Sequence, residues 1–199
     1  MIAIIDYGAG NLRSVKKAFD YLNVKSQVIS RSEQLANAEK IVLPGVGAFG
    51  AAIEKLQESG FFKAIREWLI LNKPFLGICL GMQLLLETSP ESPGVKGLSI
   101  FKGENLRFDA GKVPQIGWNQ VQIQKKSKLF EGIPGGSFFY FLHGYYLAPT
   151  DHELIVATTE YGIEYPSAIE NGNIAAVQFH PEKSGAVGLK LLENWVKLC

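Results

Sequence analysis

The first ninety residues alternate two patterns, and this alternation constrains the fold more than any other feature of the chain. Short apolar runs ended by glycine or proline are followed by stretches in which apolar residues recur every three or four positions. Ile2 to Asp6 (IAIID) reads as a strand buried on both faces. Beyond Asn11, a plausible N-cap, Leu12, Val15, Phe19 and Leu22 fall on one helical face. Lys40 to Leu43 (KIVL), ended by Pro44-Gly45, reads as the next strand. Helical spacing resumes at Ala51, Ile53 and Leu56 and again from Phe61 to Leu71. Pro74 to Ile78 (PFLGI) reads as a third strand, running straight into a helix from Leu80 to Glu87. Strands that alternate with helices imply right-handed crossovers and a central parallel sheet.

The second half changes character. Ser99 to Phe108, Asn119 to Gln124, Phe138 to Leu147, Leu154 to Thr159, Ser167 to Glu170 and Ile174 to Phe179 read as strands joined by turns. Asn171-Gly172 is a hairpin signal. Ser89 to Gly97 reads as a surface loop. A last helix, Ala186 to Leu198, places Val187, Leu191, Leu192 and Trp195 on one face. The expected architecture is therefore α/β: a central, mostly parallel sheet flanked by helices, with an added antiparallel β section. No linker or repeat interrupts it, so residues 1–199 are expected to form a single domain, a length that can bury a full core.

Charge and composition remove several classes of function. The net charge is +1 and there is no basic stripe, which argues against a nucleic-acid partner. The apolar runs fall short of the roughly 20 residues a membrane-spanning helix needs. The N-terminus lacks the basic leader and long apolar core of a signal peptide. Two cysteines, Cys79 and Cys199, cannot build a disulfide framework, and a reducing cytoplasm is the expected home.

Cys79 is the more informative of the two. Gly77-Ile78-Cys79-Leu80-Gly81 is G-x-C-x-G between a strand and a helix, the cysteine form of a nucleophile elbow. A tight turn lifts the thiol above the sheet edge, and the glycines keep side chains out of the turn. The start of the helix favours an anion there, and the Leu80 N–H is free to face an oxyanion. A lone cysteine is more often a packed core residue, but here strand, elbow and helix arrive in order.

A thiol nucleophile needs a base, and the base needs an orienting carboxylate. His180-Pro181-Glu182 follows the apolar run Ile174 to Phe179 at a strand end, where open α/β sheets bind ligands. Residues two apart on a strand face the same side, so His180 and Glu182 can share one site. His152 lies in a polar turn and reads as solvated. His143, after an aromatic run, reads as structural or substrate-facing. Pro44 to Gly50 (PGVGAFG) has neither Walker nor dinucleotide spacing. It is either a tight turn or, beside the elbow, a backbone site for an oxyanion. No metal-ligand spacing is visible, and thiol chemistry of this kind requires no cofactor.

Together these pieces resemble the class I, triad-type glutamine amidotransferases. Gly77 to Gln83 (GICLGMQ) and His180-Pro181-Glu182 are similar to that family's signature pair. Within the class, the resemblance is to glutaminases that work with a (β/α)8-barrel synthase subunit on imidazole glycerol phosphate. It extends to Asp6-Tyr7-Gly8-Ala9-Gly10-Asn11, the Pro44 to Gly50 loop, Gly117-Trp118-Asn119, Phe141 to Tyr146 and His180 to Ser184. The resemblance implies a Cys79, His180, Glu182 triad and an oxyanion hole from Val46 and Leu80. It implies L-glutamine as substrate, held by Gly47, Gln83, Glu91, Gly144 and Tyr145. It also implies that Asn11, Trp118, Tyr140 and Lys183 face the barrel subunit in a heterodimer that receives ammonia for histidine biosynthesis. One departure stands out: the family carries Ser or Thr where this chain has Gly144.

Two other readings of the residues remain open at this point. One is a paralogous amidotransferase supplying another acceptor, such as a sugar. The other is a cysteine peptidase or γ-glutamyl hydrolase on a related α/β fold.

Overall fold

The computed structural model describes residues 1–8, 10–109 and 111–198, the last by its backbone. Ala9, within the N-terminal glycine motif, and Cys199 lie outside the described residues. The chain runs β1 (Ile2–Ile5), α1 (Leu12–Tyr21), β2 (Ser26–Ile29), β3 (Lys40–Gly45), α2 (Phe49–Glu58), α3 (Phe61–Ile70), β4 (Phe75–Cys79) and α4 (Leu80–Gln83). It continues through β5 (Gly103–Arg107), β6 (Gln115–Ile123), β7 (Ser137–His143), β8 (Tyr145–Pro149), β9 (Ile155–Glu160), β10 (Glu164–Asn171), β11 (Ile174–Val177) and α5 (Gly185–Leu198). Among the described residues no helix is long and apolar enough to cross a membrane.

Nine strands form one sheet in the order β2-β1-β3-β4-β11-β10-β9-β6-β7. The first five run parallel and the rest continue antiparallel. The expected antiparallel section is thus an extension of the central sheet, and β5 and β8 form a separate two-stranded pair. Strand alternation sends Ala3 and Ile5 to one face, where Leu43, Ile53, Leu56 and Ile65 from β3, α2 and α3 close over them. Ile2 and Ile4 point the other way, onto Val15 and Phe19 of α1 and Leu191, Leu192 and Trp195 of α5. Helices therefore cover both faces, as a parallel sheet requires.

Several sequence expectations need correcting. β2 (SQVI) was not expected, because its polar, alternating residues carry little apolar signal. β3 does not end at Leu43. It continues through Pro44 and Gly45 beside β4, past Val42, its last partner on β1, where a missing N–H disrupts no ladder on that side. The helix expected over Leu80 to Glu87 is one turn. Leu84, Leu85 and Leu86 are all fully buried, so no polar face remains for a longer helix. The chain tightens to i−3 bonds at Leu85 and Leu86, and the Gln83 carbonyl accepts both the Leu86 N–H and the Asn105 side chain. The Glu87 N–H that would continue the helix goes instead to the Gly103 carbonyl at 3.2 Å. The run Phe138 to Leu147 is two strands in different sheets, divided at Gly144. The strand expected from Ser99 to Phe108 is confined to Gly103–Arg107. The hairpin expected at Asn171-Gly172 joins β10 to β11, but Asn171 pairs with Ile174, so its two-residue loop is Gly172-Asn173, one residue further on.

Candidate active site

The strand-to-helix turn at Cys79 depends on absent side chains. Cys79 is held at φ 54°, ψ −109°, a conformation L-residues rarely adopt. A Cβ on Gly77 would lie 2.7 Å from the Gly81 carbonyl oxygen, and one on Gly81 would lie 1.8 Å from the Leu43 carbonyl oxygen. The two glycines therefore let β4, its neighbour β3 and the following turn approach one another. Because α4 is a single turn, its dipole is weaker than the longer expected helix would supply, though its first N–H groups still lack intrahelical acceptors. The sulfur is buried. It contacts the Leu142 carbonyl at 3.6 Å and receives the Gln178 amide at 3.6 Å.

β11 delivers the second half of the site beside β4. His180 Nδ1 meets Glu182 Oε1 at 2.9 Å, with both side chains buried. Ser184 fixes this segment: its hydroxyl donates to the His180 carbonyl at 2.6 Å and accepts the Tyr140 N–H at 3.0 Å. Burial opposes charge on His180, but Cys79 and Glu182 outweigh it and push the imidazole up to about 10. Among the described residues its Nε2 has no hydrogen-bond partner, and the nearby Cys79 favours the imidazolium. Unformed catalytic hydrogen bonds are common in unliganded sites.

A cavity of about 420 Å³ opens over the thiol. Val46, Gly47, Cys79, Leu80, Gln83, Glu91, Gly144 and Tyr145 all line it, together with Arg107, Val113, Pro114, Leu142 and His143. Each residue expected to serve as oxyanion donor or substrate contact is therefore at this one cavity. Val46 and Gly47 belong to the exposed loop between β3 and α2. Glu91 also accepts the Phe49 N–H at 2.6 Å, and Ser92 accepts the Gly50 N–H at 2.9 Å. The Ser89 to Gly97 segment is a surface loop as expected, and through Glu91 and Ser92 it also caps α2 and braces the glycine loop. A wider groove of about 870 Å³, beside Lys126, Phe130 and Val156, contains none of the expected site residues.

His143 is a buried structural residue at the cavity wall. Its Nδ1 donates to the Tyr145 carbonyl at 2.8 Å, its Nε2 lies 3.3 Å from the Tyr165 hydroxyl, and burial pulls its pKa down to about 4. His152 sits exposed in a turn, as expected. The residues expected at a partner face divide in two. Trp118, about half exposed, packs edge-on to Tyr140, and the Lys183 ammonium lies 5.7 Å from the Tyr140 ring centre. Exposed Ile116 and Phe138 extend this patch along β6 and β7. Asn11 caps α1, accepting the Ser14 N–H at 3.4 Å, and α1 packs beside the turn that carries Lys183.

Sequence reasoning missed Gln178, Arg107 and the buried Tyr7, whose hydroxyl has no hydrogen-bond partner among the described residues, lies under Gly45 and is pushed above its ordinary pKa, chiefly by burial and also by Cys79. Gln178 carried a usable signal, since it lies within the strand expected from Ile174 to Phe179, two residues before His180, although β11 itself ends at Val177.

Residues 3–198 match the glutamine amidotransferase class-I family. Among curated proteins, the chain is 50% identical to the imidazole glycerol phosphate synthase subunit HisH of Chlorobaculum tepidum, over 99% of this chain and all of that one. It is 51% identical to the subunit of the same name from Methanocaldococcus jannaschii, over the full length of both. Two solved structures share the fold at 18% identity and a TM-score of 0.77. They are a glutamine amidotransferase, covering 98% of this chain and all of that one, and PurLQS from Thermotoga maritima, covering 98% and 96%.

Proposed function

Because the chain belongs to the class I glutamine amidotransferases, we propose that it is the glutaminase subunit of an imidazole glycerol phosphate synthase, with Cys79, His180 and Glu182 as its catalytic triad. The observation that carries this reading is the cavity. It gathers the thiol, the glycine loop, Gln83 and Glu91, and the His180–Glu182 pair stands beside the thiol.

In this mechanism the Cys79 thiolate attacks the side-chain amide carbon of glutamine, forming an S–C bond and moving the carbonyl electron pair onto oxygen. The Leu80 and Val46 N–H groups receive that oxyanion. Losing one such donor typically costs about 10²–10³ in rate. The imidazolium of His180, supported by Glu182, protonates the departing nitrogen as the C–N bond breaks. His180 then takes a proton from water, which attacks the thioester and releases glutamate and the thiolate. Glu91 and Arg107 give the cavity an anion and a cation, which suits the zwitterionic end of an amino acid. Gly47, Gly144 and Tyr145 complete the wall around it.

Ammonia passes to a (β/α)8-barrel synthase subunit, bound as a heterodimer through the face bearing Asn11, Trp118, Tyr140 and Lys183. There it serves the formation of imidazole glycerol phosphate and aminoimidazole carboxamide ribonucleotide in histidine biosynthesis. The whole chain acts as one glutaminase domain, and the cytoplasm is its compartment. The test is glutamate release from glutamine by the chain alone and with the barrel subunit and its nucleotide substrate. Release that rises with the partner and vanishes in Cys79→Ala supports the proposal. Release that needs Cys79 but ignores the partner points to another acceptor, and no release under either condition rejects the glutaminase.

A further inference from the structure

Gln178 is fully buried one residue past the end of β11. Its Nε2 donates to the Cys79 sulfur, and its Oε1 accepts from Gln83 Nε2 at 3.1 Å. Gln83 Nε2 places its other hydrogen on the Tyr145 carbonyl at 2.9 Å. A primary amide has two N–H donors and one carbonyl, so both Gln83 hydrogens are committed and only its Oε1 remains for the cavity. Flipping Gln83 would set its oxygen against two others, at Tyr145 and Gln178. Flipping Gln178 would set its N–H groups against those of Gln83 and its oxygen against the sulfur. The Tyr145 carbonyl, which also accepts from His143, thus fixes the orientation of both buried amides.

We propose that Gln178 is a positioning residue with two separable tasks. Its N–H supports the Cys79 thiolate, and its carbonyl holds Gln83 with an acceptor oxygen turned toward the cationic, ammonium end of the substrate. The inference rests on the glutaminase reading above. In the resting thiol, the S–H proton has the Leu142 carbonyl as its acceptor. On ionisation that proton leaves, and the Gln178 N–H is the amide donor that remains at the sulfur. The other titratable groups around the thiol are His180, Tyr7 and Tyr165, each electrostatically coupled to Cys79, with Glu182 behind His180. Glu91, Arg107 and His143 lie further out on the cavity wall. None of these groups is itself substituted at position 178, but Gln178→Glu adds a carboxylate beside the thiol, whereas Gln178→Met adds no titratable group.

Two variants separate the tasks. Gln178→Glu keeps an acceptor for Gln83 but loses the amide donor at sulfur. Gln178→Met, of similar volume, loses both. In Gln178→Glu, alkylation of Cys79 by iodoacetamide at neutral pH is expected to slow about tenfold, with its midpoint moved to higher pH. Turnover in the complex with the barrel subunit should fall by a similar factor while KM for glutamine stays within about twofold. In Gln178→Met, alkylation should slow likewise and KM should also rise about tenfold. Thermal melts identify any variant that fails to fold. Because the Gln178→Glu carboxylate itself disfavours the thiolate, the uncharged Gln178→Met, or Gln178→Leu should Gln178→Met fail to fold, decides the sulfur task. A folded, uncharged variant (Gln178→Met or Gln178→Leu) with wild-type alkylation overturns the proposal, as does a KM that moves equally in the Glu and Met variants. Alkylation reads the thiol without glutamine, so a failed glutaminase reading, seen as no Cys79-dependent release by wild type, is distinguishable from a failed role for Gln178.

Discussion

A single methyl group at position 81 would collide with the Leu43 carbonyl oxygen, because the elbow brings two backbones together where only hydrogen fits. Gly81→Ala should therefore cost about 3 kcal/mol or more in denaturant unfolding, and a native-like midpoint would contradict the geometry. Gly144 is the opposite case. Its φ is ordinary, and the nearest atom a Cβ would meet is 3.4 Å away, so Gly144→Ser should change stability by no more than about 0.5 kcal/mol. His143 gives a pH signature. Its folded pKa of about 4 lies below the unfolded value, so the unfolded chain binds the proton first as pH falls. The stability it supplies is complete above pH 6.5 and is lost between there and pH 4, up to about 3 kcal/mol. His143→Gln should flatten that decline, and an unchanged pH profile would remove His143 as its source. Cys79, His180 and Glu182 could be read from the sequence because their signals are local, a turn needing glycines and a His-Pro-Glu run just past an apolar strand. The pairing of His180 with Glu182 comes from the 3-10 turn Pro181–Lys183 and not from the strand period of two, since β11 ends at Val177. Tyr7, Arg107 and the bond between Gln83 and Gln178 could not, since their partners come from distant strands.

At the scale of elements, apolar periodicity placed the helices and central strands well. It failed where a segment is buried on all sides or ends by tertiary bonding. Leu84, Leu85 and Leu86 continue an apolar run, yet the helix stops where the Glu87 N–H turns to the Gly103 carbonyl and Asn105 joins Leu86 at the Gln83 carbonyl. Likewise, nothing local says that Phe138 to Leu147 must split, since the division comes from β7 and β8 pairing with different strands. A comparable long-range tie holds α5: the buried Asn194 side chain donates to the Leu129 and Glu131 carbonyls at 2.9 and 2.7 Å. Asn194→Leu should leave both without that donor and cost about 1–3 kcal/mol, measured by chemical denaturation. A neutral outcome would mean that water replaces the amide.

At the scale of the whole molecule, the sheet sets the reactive edge and the exposed aromatic face near each other. Tyr140 on β7 links them, since its carbonyl accepts the His180 N–H at 2.8 Å while its ring packs against Trp118. Because Trp118 is about half exposed, the proposed interface predicts that Trp118→Ala spares the fold but weakens association with the proposed barrel subunit by roughly 2 kcal/mol, read by titration calorimetry. Unchanged affinity would move the interface elsewhere. The central claim is that Cys79 is the group that attacks glutamine. Its most direct test is inactivation by a glutamine analogue carrying a diazoketone in place of the side-chain amide, followed by peptide mapping. The account predicts one label per chain, on Cys79, whose formation glutamine slows and whose extent tracks the loss of glutamate release. Inactivation with the label elsewhere, or full labelling of Cys79 with glutamate release intact, would contradict it.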